Sequence, residues 1–244
     1  MDALAIILGR AGSKGLPGKN TAAVAGRPCA LWTIDAALEA GSVGRIGVST
    51  DDPALQDLGA AAGVDIWPRP APLASDTATI DDAARHALTC AEEDSPLAPD
   101  YPIVLLYANV PVRPPDLIDR ALALLTETGA DSVQSFAPVG KFHPWWTARV
   151  GPDGRLAPWE GRQLFAGVYR RQQLPPAYVP DGGVIAVTRR ALRLEIDDVA
   201  PGPHAFLGRD RRAVITEPGE VIDIDTPIDL LVADATLRAR QAHV

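Results

Sequence analysis

The chain has 244 residues, of which 47% are hydrophobic, so it can bury the core of one large α/β domain. Its formal net charge of −8 argues against a general nucleic-acid or membrane-surface binder, because polyanionic partners would be repelled at long range. The two cysteines lie within apolar helical patterns, which argues against a disulfide framework, and the apolar runs are too short for a leader or a membrane span, so we expect a soluble cytoplasmic protein.

Short apolar runs alternate with helical patterns along the chain. Strands are predicted at 3–8, 45–50, 103–107, 131–136, 183–187 and 212–217, and helices near 29–40, 53–62, 76–91 and 114–129. A last helix is predicted after Thr226, because Thr226 has the N-cap pattern with Pro227 and Asp229 behind it. Its apolar residues share one face: Ile228, Leu231, Val232 and Ala235. This alternation predicts a doubly wound, mostly parallel α/β sheet with helices on both faces.

The alternation breaks down between residues 140 and 180. This segment carries Trp145, Trp146 and Trp159 among arginines and prolines, a composition closer to that of protein interfaces than to that of loops. We therefore interpret 140–180 as an arm inserted into a single domain that covers residues 1–244.

The loop after the first strand is rich in glycine. It reads LGRAGSKGLPGKN at residues 8–20, with a glycine at every third position from Gly9 to Gly18 and with Arg10, Lys14 and Lys19 among them. Glycines let successive backbone N–H groups converge on an anion, and the basic side chains add charge. The spacing fits neither the dinucleotide fingerprint nor the P-loop pattern, so composition alone leaves phosphate binding and tight turns as equal interpretations.

A resemblance to a known family decides between these interpretations. The run GRAGSKGLPGKN resembles A-R-x-G-S-K-G-[IL]-x-x-K-N, the signature of the acylneuraminate cytidylyltransferases, with Gly9 in place of the usual alanine. Four more segments resemble family motifs in the correct order: VSTDD at 48–52, RPAPLASD at 69–76, RQQLP at 171–175 and IDID at 222–225. The resemblance implies a Rossmann-like nucleotidyltransferase that joins CMP from CTP to an anionic sugar acid, a nonulosonic acid such as sialic acid, and releases pyrophosphate.

For the nucleotide site, the resemblance implies that Arg10 and Lys19 are the catalytic cations on the triphosphate. Lys19 is expected nearest the α-phosphate, where negative charge develops as the new bond forms. The other nucleotide-binding residues implied by the family motifs are Gly12, Ser13, Lys14, Asn20, Arg69, Ser75 and Asp76.

Several of these positions have a plain structural alternative. Ser75 or Asp76 could be a helix N-cap, and one member of the Asp51-Asp52 pair could cap the helix that follows it. Arg69, which lies between two prolines, could be a lone surface arginine.

Asp223 and Asp225 alternate along an extended segment, so both carboxylates are expected on one side. Such a pair suits Mg²⁺, which binds one or two carboxylates together with phosphates and water. On spacing alone, solvated acids ahead of a helix cap would be the simpler interpretation. The family motif favours a site for Mg²⁺ and CTP.

The arm carries residues suited to a carboxylated sugar. Arg162 and Arg171 could bind a carboxylate in bidentate fashion, with Gln172 and Gln173 beside them. These residues could instead serve an interface. In the family this region makes dimer contacts and completes the neighbouring sugar site, so the resemblance implies a homodimer in which both roles coexist.

Two departures from the family pattern concern the acceptor. Where the family reads LLQPTSPLR, this chain reads LLYANVPVR at 105–113, which places Tyr107 and Asn109 in the expected substrate pocket. The family's N-G-A appears here as DGG at 181–183, and Asp181 would repel an anionic sugar unless it is paired. A tyrosine offers a ring and one hydroxyl where an amide offers a donor and an acceptor, so we expect an altered acceptor.

The expected reaction is in-line attack of a hydroxyl on the α-phosphate of CTP, with Mg²⁺ and Lys19 stabilising the added charge. The sequence shows no evident general base; water linked to Asp223 or Asp225 and a metal-bound hydroxide remain candidates. Two alternatives stay open: CMP transfer to 3-deoxy-octulosonate or another acid, and a nucleotide-binding homologue without turnover.

Overall fold

The computed structural model describes residues 2–12, 15–93 and 95–242. Its strands are β1 (Ala3–Leu8), β2 (Ala23–Val24), β3 (Arg27–Pro28), β4 (Val43–Thr50), β5 (Asp65–Pro68), β6 (Pro102–Tyr107), β7 (Ser132–Pro138), β8 (Ala148–Val150), β9 (Leu156–Pro158), β10 (Tyr178–Thr188) and β11 (Arg211–Ile215). Its helices are α1 (Cys29–Glu39), α2 (Pro53–Ala61), α3 (Ala71–Ala74), α4 (Ile80–Glu92), α5 (Leu117–Thr128), α6 (Arg189–Leu192) and α7 (Pro227–Gln241). Across the described ranges, none of the helices combines the length and the apolar character needed to cross a membrane.

Within the described ranges, seven strands form one sheet in the order β11-β7-β10-β6-β1-β4-β5. β1 pairs in parallel with β4 and β6, β5 pairs in parallel with β4, and β11 pairs in parallel with β7. β10 runs antiparallel to both of its neighbours, β6 and β7. The predicted doubly wound, mostly parallel α/β fold is confirmed. The direction of β10 was not predictable, because a buried apolar strand reads alike in either direction.

Alternate residues of the central strands face two different layers of helices. On one face, Ala5 and Ile7 of β1 share a buried cluster with residues of α1, α2 and α5. On the other face, Leu4 and Ile6 share a cluster with residues of α4 and α6. Because both faces are covered, the open end of the parallel strands is the place where loops can form a site.

The start of α4 differs from the prediction. The helix begins at Ile80 rather than near residue 76, because Thr79 is its N-cap and its hydroxyl accepts a hydrogen bond from the backbone N–H of Asp82 at 3.2 Å. Ser75 and Asp76 lie in the turn between α3 and α4, so the interpretation of either as an N-cap is wrong. β5 and α3, of four residues each, were not predicted, because such short elements carry too little periodicity.

α7 begins as predicted, with a capping box formed by Thr226 and Asp229. Its aliphatic face, however, is turned outward. Ile228 and Leu231 are exposed, whereas Ala233 and Leu237 are buried. The helix therefore packs the face that carries Ala233 and Leu237 against the body of the protein.

The inserted arm occupies residues 140–177, since β10 already begins at Tyr178 and its first residues pair with β7. The arm contains the β8–β9 hairpin and several short 3-10 turns. It exposes large apolar side chains, among them Phe142, Trp159 and Tyr169. This exposure agrees with the interface composition of the segment.

Candidate active site

The glycine-rich loop packs directly against the segment that carries the two aspartates. Gly15 has no room for a side chain, because a Cβ atom there would collide with the backbone carbonyl oxygen of Asp225. Leu16 of the loop lies in the same apolar cluster as Ile224, the residue between Asp223 and Asp225. This packing brings the two segments together from opposite ends of the chain.

The two segments also meet through an ion pair. The Nζ atom of Lys19 lies 2.5 Å from Oδ1 of Asp225, although the residues are 206 positions apart. The Lys19 side chain is only 17% exposed, whereas that of Asp225 is 63% exposed. The predicted convergence of the loop lysine with the carboxyl-terminal aspartates is confirmed.

Two further side chains shape the loop itself. Asn20 is buried, and its amide donates a hydrogen bond to the carbonyl oxygen of Arg10 at 3.0 Å. Oδ1 of Asp51 accepts a hydrogen bond from the backbone N–H of Ala11, also at 3.0 Å. Asp52 is the N-cap of α2, so the capping interpretation holds for Asp52, whereas Asp51 holds the loop.

Arg10 and Arg69 enter the site from two other sides. Nη1 of Arg10 lies 3.0 Å from Oδ1 of Asp76. Arg69 is half-buried and donates from Nη2 to the carbonyl oxygen of Ser49 at 2.7 Å. Burial lowers the pKa of Arg69, and the charge of Asp51 opposes this shift. Arg69 is therefore held in a fixed direction and is not a lone surface arginine.

These residues line a cleft of about 300 Å³ at the carboxyl ends of β1 and β6. Its lining includes Arg10, Lys19, Asn20, Arg69, Tyr107, Asn109 and Asp225. The lining has three cations and one carboxylate, and Arg10 and Lys19 are each paired with an aspartate, so an anion that displaced these partners would meet three cations in an otherwise acidic chain.

Three other predicted nucleotide residues belong to the same region of the chain. Gly12 is exposed in the loop, with open space around its Cα. Ser13 and Lys14 lie outside the described residues. Their assignment to the nucleotide stays a prediction.

Asn109 holds the aspartate segment in place. Its carbonyl oxygen accepts a hydrogen bond from the backbone N–H of Ile224 at 2.8 Å, and its amide donates to the carbonyl oxygen of Ile224 at 3.1 Å. Ile224 is fully buried, which leaves Asp223 and Asp225 on the open side. Asn109 also lines the cleft, so its predicted binding of substrate stays a prediction, while its hydrogen bonds position the aspartate segment.

The carboxylates of Asp223 and Asp225 repel each other. Asp223 is exposed as a whole residue, but the surrounding atoms partly desolvate its carboxylate. This desolvation raises the pKa of Asp223, and the charge of Asp225 raises it further. A divalent cation would relieve both effects. Among the described residues, no three His, Cys, Asp or Glu side chains are grouped closely enough to hold a metal ion. The pair therefore fits Mg²⁺ only if phosphates and water complete its coordination.

A larger cavity of about 910 Å³ opens beside the cleft. Tyr107 and Ile80 line both spaces and form the wall between them. Asp225 lines the cleft and Asp223 lines the large cavity, so the aspartate pair spans the same junction. Burial raises the pKa of the Tyr107 hydroxyl, which therefore stays protonated at the junction.

Asp181 lines the large cavity, but its carboxylate is already engaged. Oδ2 accepts a hydrogen bond from the Thr216 hydroxyl at 2.5 Å, and Oδ1 accepts from the backbone N–H of Gly183 at 3.0 Å and from the Ser135 hydroxyl. The buried Arg113 is electrostatically coupled to Asp181; burial lowers the pKa of Arg113 to about 10, and the charge of Asp181 opposes this shift. This network moderates the repulsion expected of Asp181, and no local sequence pattern connects its members.

The structure does not bring the arm residues into either space. Arg162 lines a separate cavity within the arm, and Arg171 lines another between the arm and the ends of β7 and β10. Gln172 and Gln173 are exposed next to Arg171 in a 3-10 turn. Their assignment to the sugar stays a prediction, and it would require the arm of a second copy to reach the site.

Comparison with known families agrees with this geometry. A family model described as cytidylyltransferase matches residues 4–149, more than half of the chain. The chain belongs to the cytidylyltransferase family. The matched range includes the glycine-rich loop, Arg69 and Tyr107.

Two relatives extend this cytidylyltransferase match. The CMP-N,N'-diacetyllegionaminic acid synthase of Legionella pneumophila is 30% identical over 242 residues, which cover 99% of this chain and 98% of the relative. An N-acylneuraminate cytidylyltransferase of Streptococcus agalactiae is 33% identical over 186 residues, which cover 75% of this chain and 43% of that longer protein. The first alignment takes in Asp223 and Asp225, which lie beyond the range of the family model.

Solved structures show the same cytidylyltransferase fold. CMP:2-keto-3-deoxy-manno-octonic acid synthetase, solved in complex with CTP, superposes with a TM-score of 0.70 at 17% identity, covering 98% of this chain and 100% of that one. The 4-diphosphocytidyl-2C-methyl-D-erythritol synthase of Anaerococcus prevotii gives a TM-score of 0.63 at 14% identity, covering 97% and 99%. At these identities the likeness concerns the fold.

The contact between Gly15 and Asp225 leads to a test of the loop. We expect Gly15→Ala to lower the affinity for CTP by about tenfold or more, because the added methyl group would push the loop and Lys19 away from the aspartates. Calorimetric titration with CTP measures this affinity. Gly41→Ala is the control, since the atom nearest to its added Cβ is 4.0 Å away, and it should bind CTP like the wild type. Unchanged CTP affinity in Gly15→Ala would show that this contact does not shape the site.

Proposed function

We propose that this cytidylyltransferase transfers CMP from CTP to the anomeric hydroxyl of a nonulosonic acid, releasing pyrophosphate. The names of the two relatives support an acceptor of this class. The observation that carries the proposal is the contact of Lys19 with Asp225, because it brings a cation suited to phosphate next to the aspartate pair at the junction of the cleft and the large cavity. The choice of cytosine rests on family membership.

The nucleotide would lie in the 300 Å³ cleft with its phosphates among the three cations Arg10, Lys19 and Arg69. Lys19 is the one in contact with Asp225, so we assign it to the α-phosphate, next to the junction with the large cavity. Arg10 would then contact the β- and γ-phosphates. These phosphates would replace Asp76 as its partner.

We further propose that Mg²⁺ binds together with the nucleotide and that Asp223 and Asp225 would hold it. When bound, the ion would supply Lewis-acid stabilisation of the charge on the phosphate oxygens. The protein contributes the fixed position of the two carboxylates, which the hydrogen bonds between Asn109 and Ile224 set.

The sugar acid would occupy the large cavity, because that cavity meets the cleft at Tyr107 and Asp223. Its hydroxyl could approach the α-phosphorus there, opposite the leaving pyrophosphate. We assign the reaction to the cytoplasm, since the donor is a nucleoside triphosphate.

Besides His204, the described residues that line the large cavity offer the carboxylate of the sugar acid no unpaired cation. Arg85 lines the cavity, but it is paired with Asp81 at 2.9 Å and with Asp82. Arg162 and Arg171 lie on the arm and could reach the cavity of a second copy. We therefore propose a homodimer in which each arm supplies the carboxylate-binding arginine of the other site.

The chemical step needs positioning more than covalent chemistry by the protein. The acceptor oxygen bonds to the α-phosphorus while the bond to the pyrophosphate oxygen breaks, and the hydroxyl proton leaves to water. Lys19 stabilises the charge that develops on the phosphorus oxygens. Tyr107 and the aspartate pair keep the two substrates in line at the junction.

A substrate panel tests this proposal. Protein, CTP and Mg²⁺ are incubated with nine-carbon ulosonic acids and, separately, with the eight-carbon 3-deoxy-octulosonate, and pyrophosphate and the CMP adduct are measured. We expect both products with at least one nine-carbon acid. Products with the eight-carbon acid alone would favour the alternative acceptor. If CTP binds but no acid is converted, the protein is a nucleotide-binding homologue without turnover.

Lys19→Ala separates catalysis from stability. We expect kcat/KM to fall by about 10²- to 10³-fold, because a charge that acts on the transition state is lost. The free energy of unfolding should change by less than about 1 kcal/mol, since the freed Asp225 carboxylate is open to water. Urea denaturation measures stability, and Arg238→Ala, which breaks the exposed pair with Asp234, is the control. An equal loss of stability and turnover would indicate a purely structural lysine.

Metal binding should depend on the nucleotide. In the free protein Lys19 neutralises Asp225, so we expect weak binding of Mn²⁺. An α,β-methylene analogue of CTP should draw Lys19 to its phosphates. The binding of Mn²⁺ should then become at least about tenfold tighter. Electron paramagnetic resonance of free Mn²⁺ measures both affinities, corrected for metal bound by the analogue alone. Without nucleotide, Lys19→Ala should bind Mn²⁺ more tightly than the wild type. Equal Mn²⁺ affinity with and without the analogue would contradict the proposed movement of Lys19 from Asp225 to phosphate.

A further inference from the structure

Gln134 is a polar residue on an otherwise apolar face of the sheet. Val133 of the same strand, β7, packs with α5 on one face, so Gln134 points to the other. There Gln134 lies in register with Ile185 of β10, and Ile185 lies in register with Leu105 of β6. Both of these neighbours belong to the buried cluster that α4 and α6 cover. A glutamine in this row costs free energy unless its amide finds a hydrogen-bond partner.

His204 is anchored beside the same face of β7. The hydroxyl of Ser132, two residues before Gln134, donates a hydrogen bond to the carbonyl oxygen of Leu207 at 2.7 Å. Leu207 ends a buried 3-10 turn over residues 205–207, and His204 directly precedes this turn. His204 itself is exposed, and both His204 and Gln134 line the large cavity. The turn therefore holds His204 at the cavity wall that Gln134 also forms.

The backbone of His204 has an unusual conformation. Its φ is +66°, in the left-handed region that glycine favours. The backbone N–H of Leu207 donates to the carbonyl oxygen of His204 at 3.1 Å, and this hydrogen bond helps to hold the conformation. Such strained residues are concentrated where a protein holds a ligand. An exposed ring in this conformation adds no packing to the core, so a contact with a ligand explains its position better than a contribution to stability does.

The side chains of Gln134 and His204 are both open to a ligand. In the part of the chain that the structure describes, neither side chain has a hydrogen bond or an ion pair. The Thr79 hydroxyl, on the same cavity wall as Arg85, donates to Asp82 at 2.7 Å, and Arg85 is paired with Asp82 as well. The amide of Gln134 offers a donor and an acceptor, and the imidazole of His204 offers a further donor.

Gln134 lies away from the junction between the cleft and the large cavity. Through Ile185 it is in register with Leu105, which precedes Tyr107 by two residues on β6. β7 and β6 are separated by β10, so the two strands are about 10 Å apart. An acceptor whose reacting hydroxyl lies at Tyr107 would therefore present its opposite end to Gln134.

We infer that Gln134 and His204 are specificity-determining residues that bind a polar group on the exocyclic side chain of the acceptor, at the end remote from the reacting hydroxyl. This inference rests on the proposed function. A side-chain hydroxyl would donate to the amide oxygen of Gln134 and accept from the ring N–H of His204. An acceptor without this hydroxyl would remove water from both groups and leave them unpaired, so the site should reject it.

A deoxy analogue tests this contact. The acid that the enzyme converts is compared with the same acid in which hydrogen replaces the hydroxyl on the carbon next to the end of the side chain. We expect kcat/KM at saturating CTP to be about ten- to a hundredfold higher for the acid with the hydroxyl, which corresponds to one unpaired polar group in the site. Equal efficiency with the two acids would overturn the inference.

Two variants locate the selectivity. Gln134→Leu suits the apolar neighbours of the site and removes both hydrogen-bonding groups, so the preference for the hydroxyl should fall to about twofold or less. His204→Gly suits the left-handed backbone and should lower the preference at least about threefold. The KM for CTP should stay unchanged in both variants. Gln241→Leu is the control, because Gln241 is exposed at the end of α7 and lines neither space.

The ratio of the two efficiencies separates recognition from structure. A structural role would lower kcat/KM equally for both acids and leave the ratio as in the wild type, and that result would overturn the inference. If Gln134→Leu does not fold, His204→Gly provides the same comparison.

Failure of the proposed function has a different result. The wild type would then release no pyrophosphate with any acid, although CTP binds. If pyrophosphate is released and the ratio is the same in the wild type and both variants, the proposed function stands and the assignment of Gln134 and His204 is wrong.

Discussion

The ion pair between Lys19 and Asp225 joins the first loop of the fold to the segment before its last helix, and the arrangement of the site depends on it. An exposed carboxylate paired with a lysine contributes only about 0.2–1 kcal/mol to stability, so its importance lies in where it places the charges. The close packing of Gly15 on Asp225 and the shared burial of Leu16 and Ile224 hold the segments together. The ion pair can therefore open for a ligand while the two segments stay in contact.

The sheet explains why the site has two compartments. The parallel strands β1 and β6 end at the cleft, which is lined by the cations Arg10, Lys19 and Arg69. The antiparallel β10 contributes residues around Asp181 to the larger cavity. Tyr107, at the end of β6, lies between them. In the proposed arrangement, a nucleotide in the first space and a sugar acid in the second would meet beside Asp223.

The sequence predicted what depends on local pattern. The strands of the core, the helix after Thr226 and the loop with Lys19 carry clear periodicity or motif residues. The start of α4 was missed because Ser75, Asp76 and Thr79 all suit an N-cap, and only tertiary packing selects Thr79. The outward face of α7 was not predictable either, since periodicity shows that Ile228 and Leu231 share a face but not what covers that face.

Residues that act through distant partners were the hardest to assign. Asp51 suits a cap as well as Asp52 does, and only its hydrogen bond to Ala11 reveals that it holds the loop. Two of the hydrogen bonds of Asp181 come from the hydroxyls of Ser135 on β7 and Thr216 just after β11, which no spacing rule connects. The arm arginines are a third case, because the role proposed for them involves a second copy of the chain.

A crystal structure with Mn²⁺ and a non-hydrolysable CTP analogue tests the central claim most directly. The account predicts an anomalous Mn²⁺ peak between Asp223, Asp225 and the α-phosphate, with Nζ of Lys19 moved from Asp225 to a phosphate oxygen. A nucleotide bound outside the cleft, or a Lys19 that stays on Asp225 while the phosphates lie elsewhere, would contradict it.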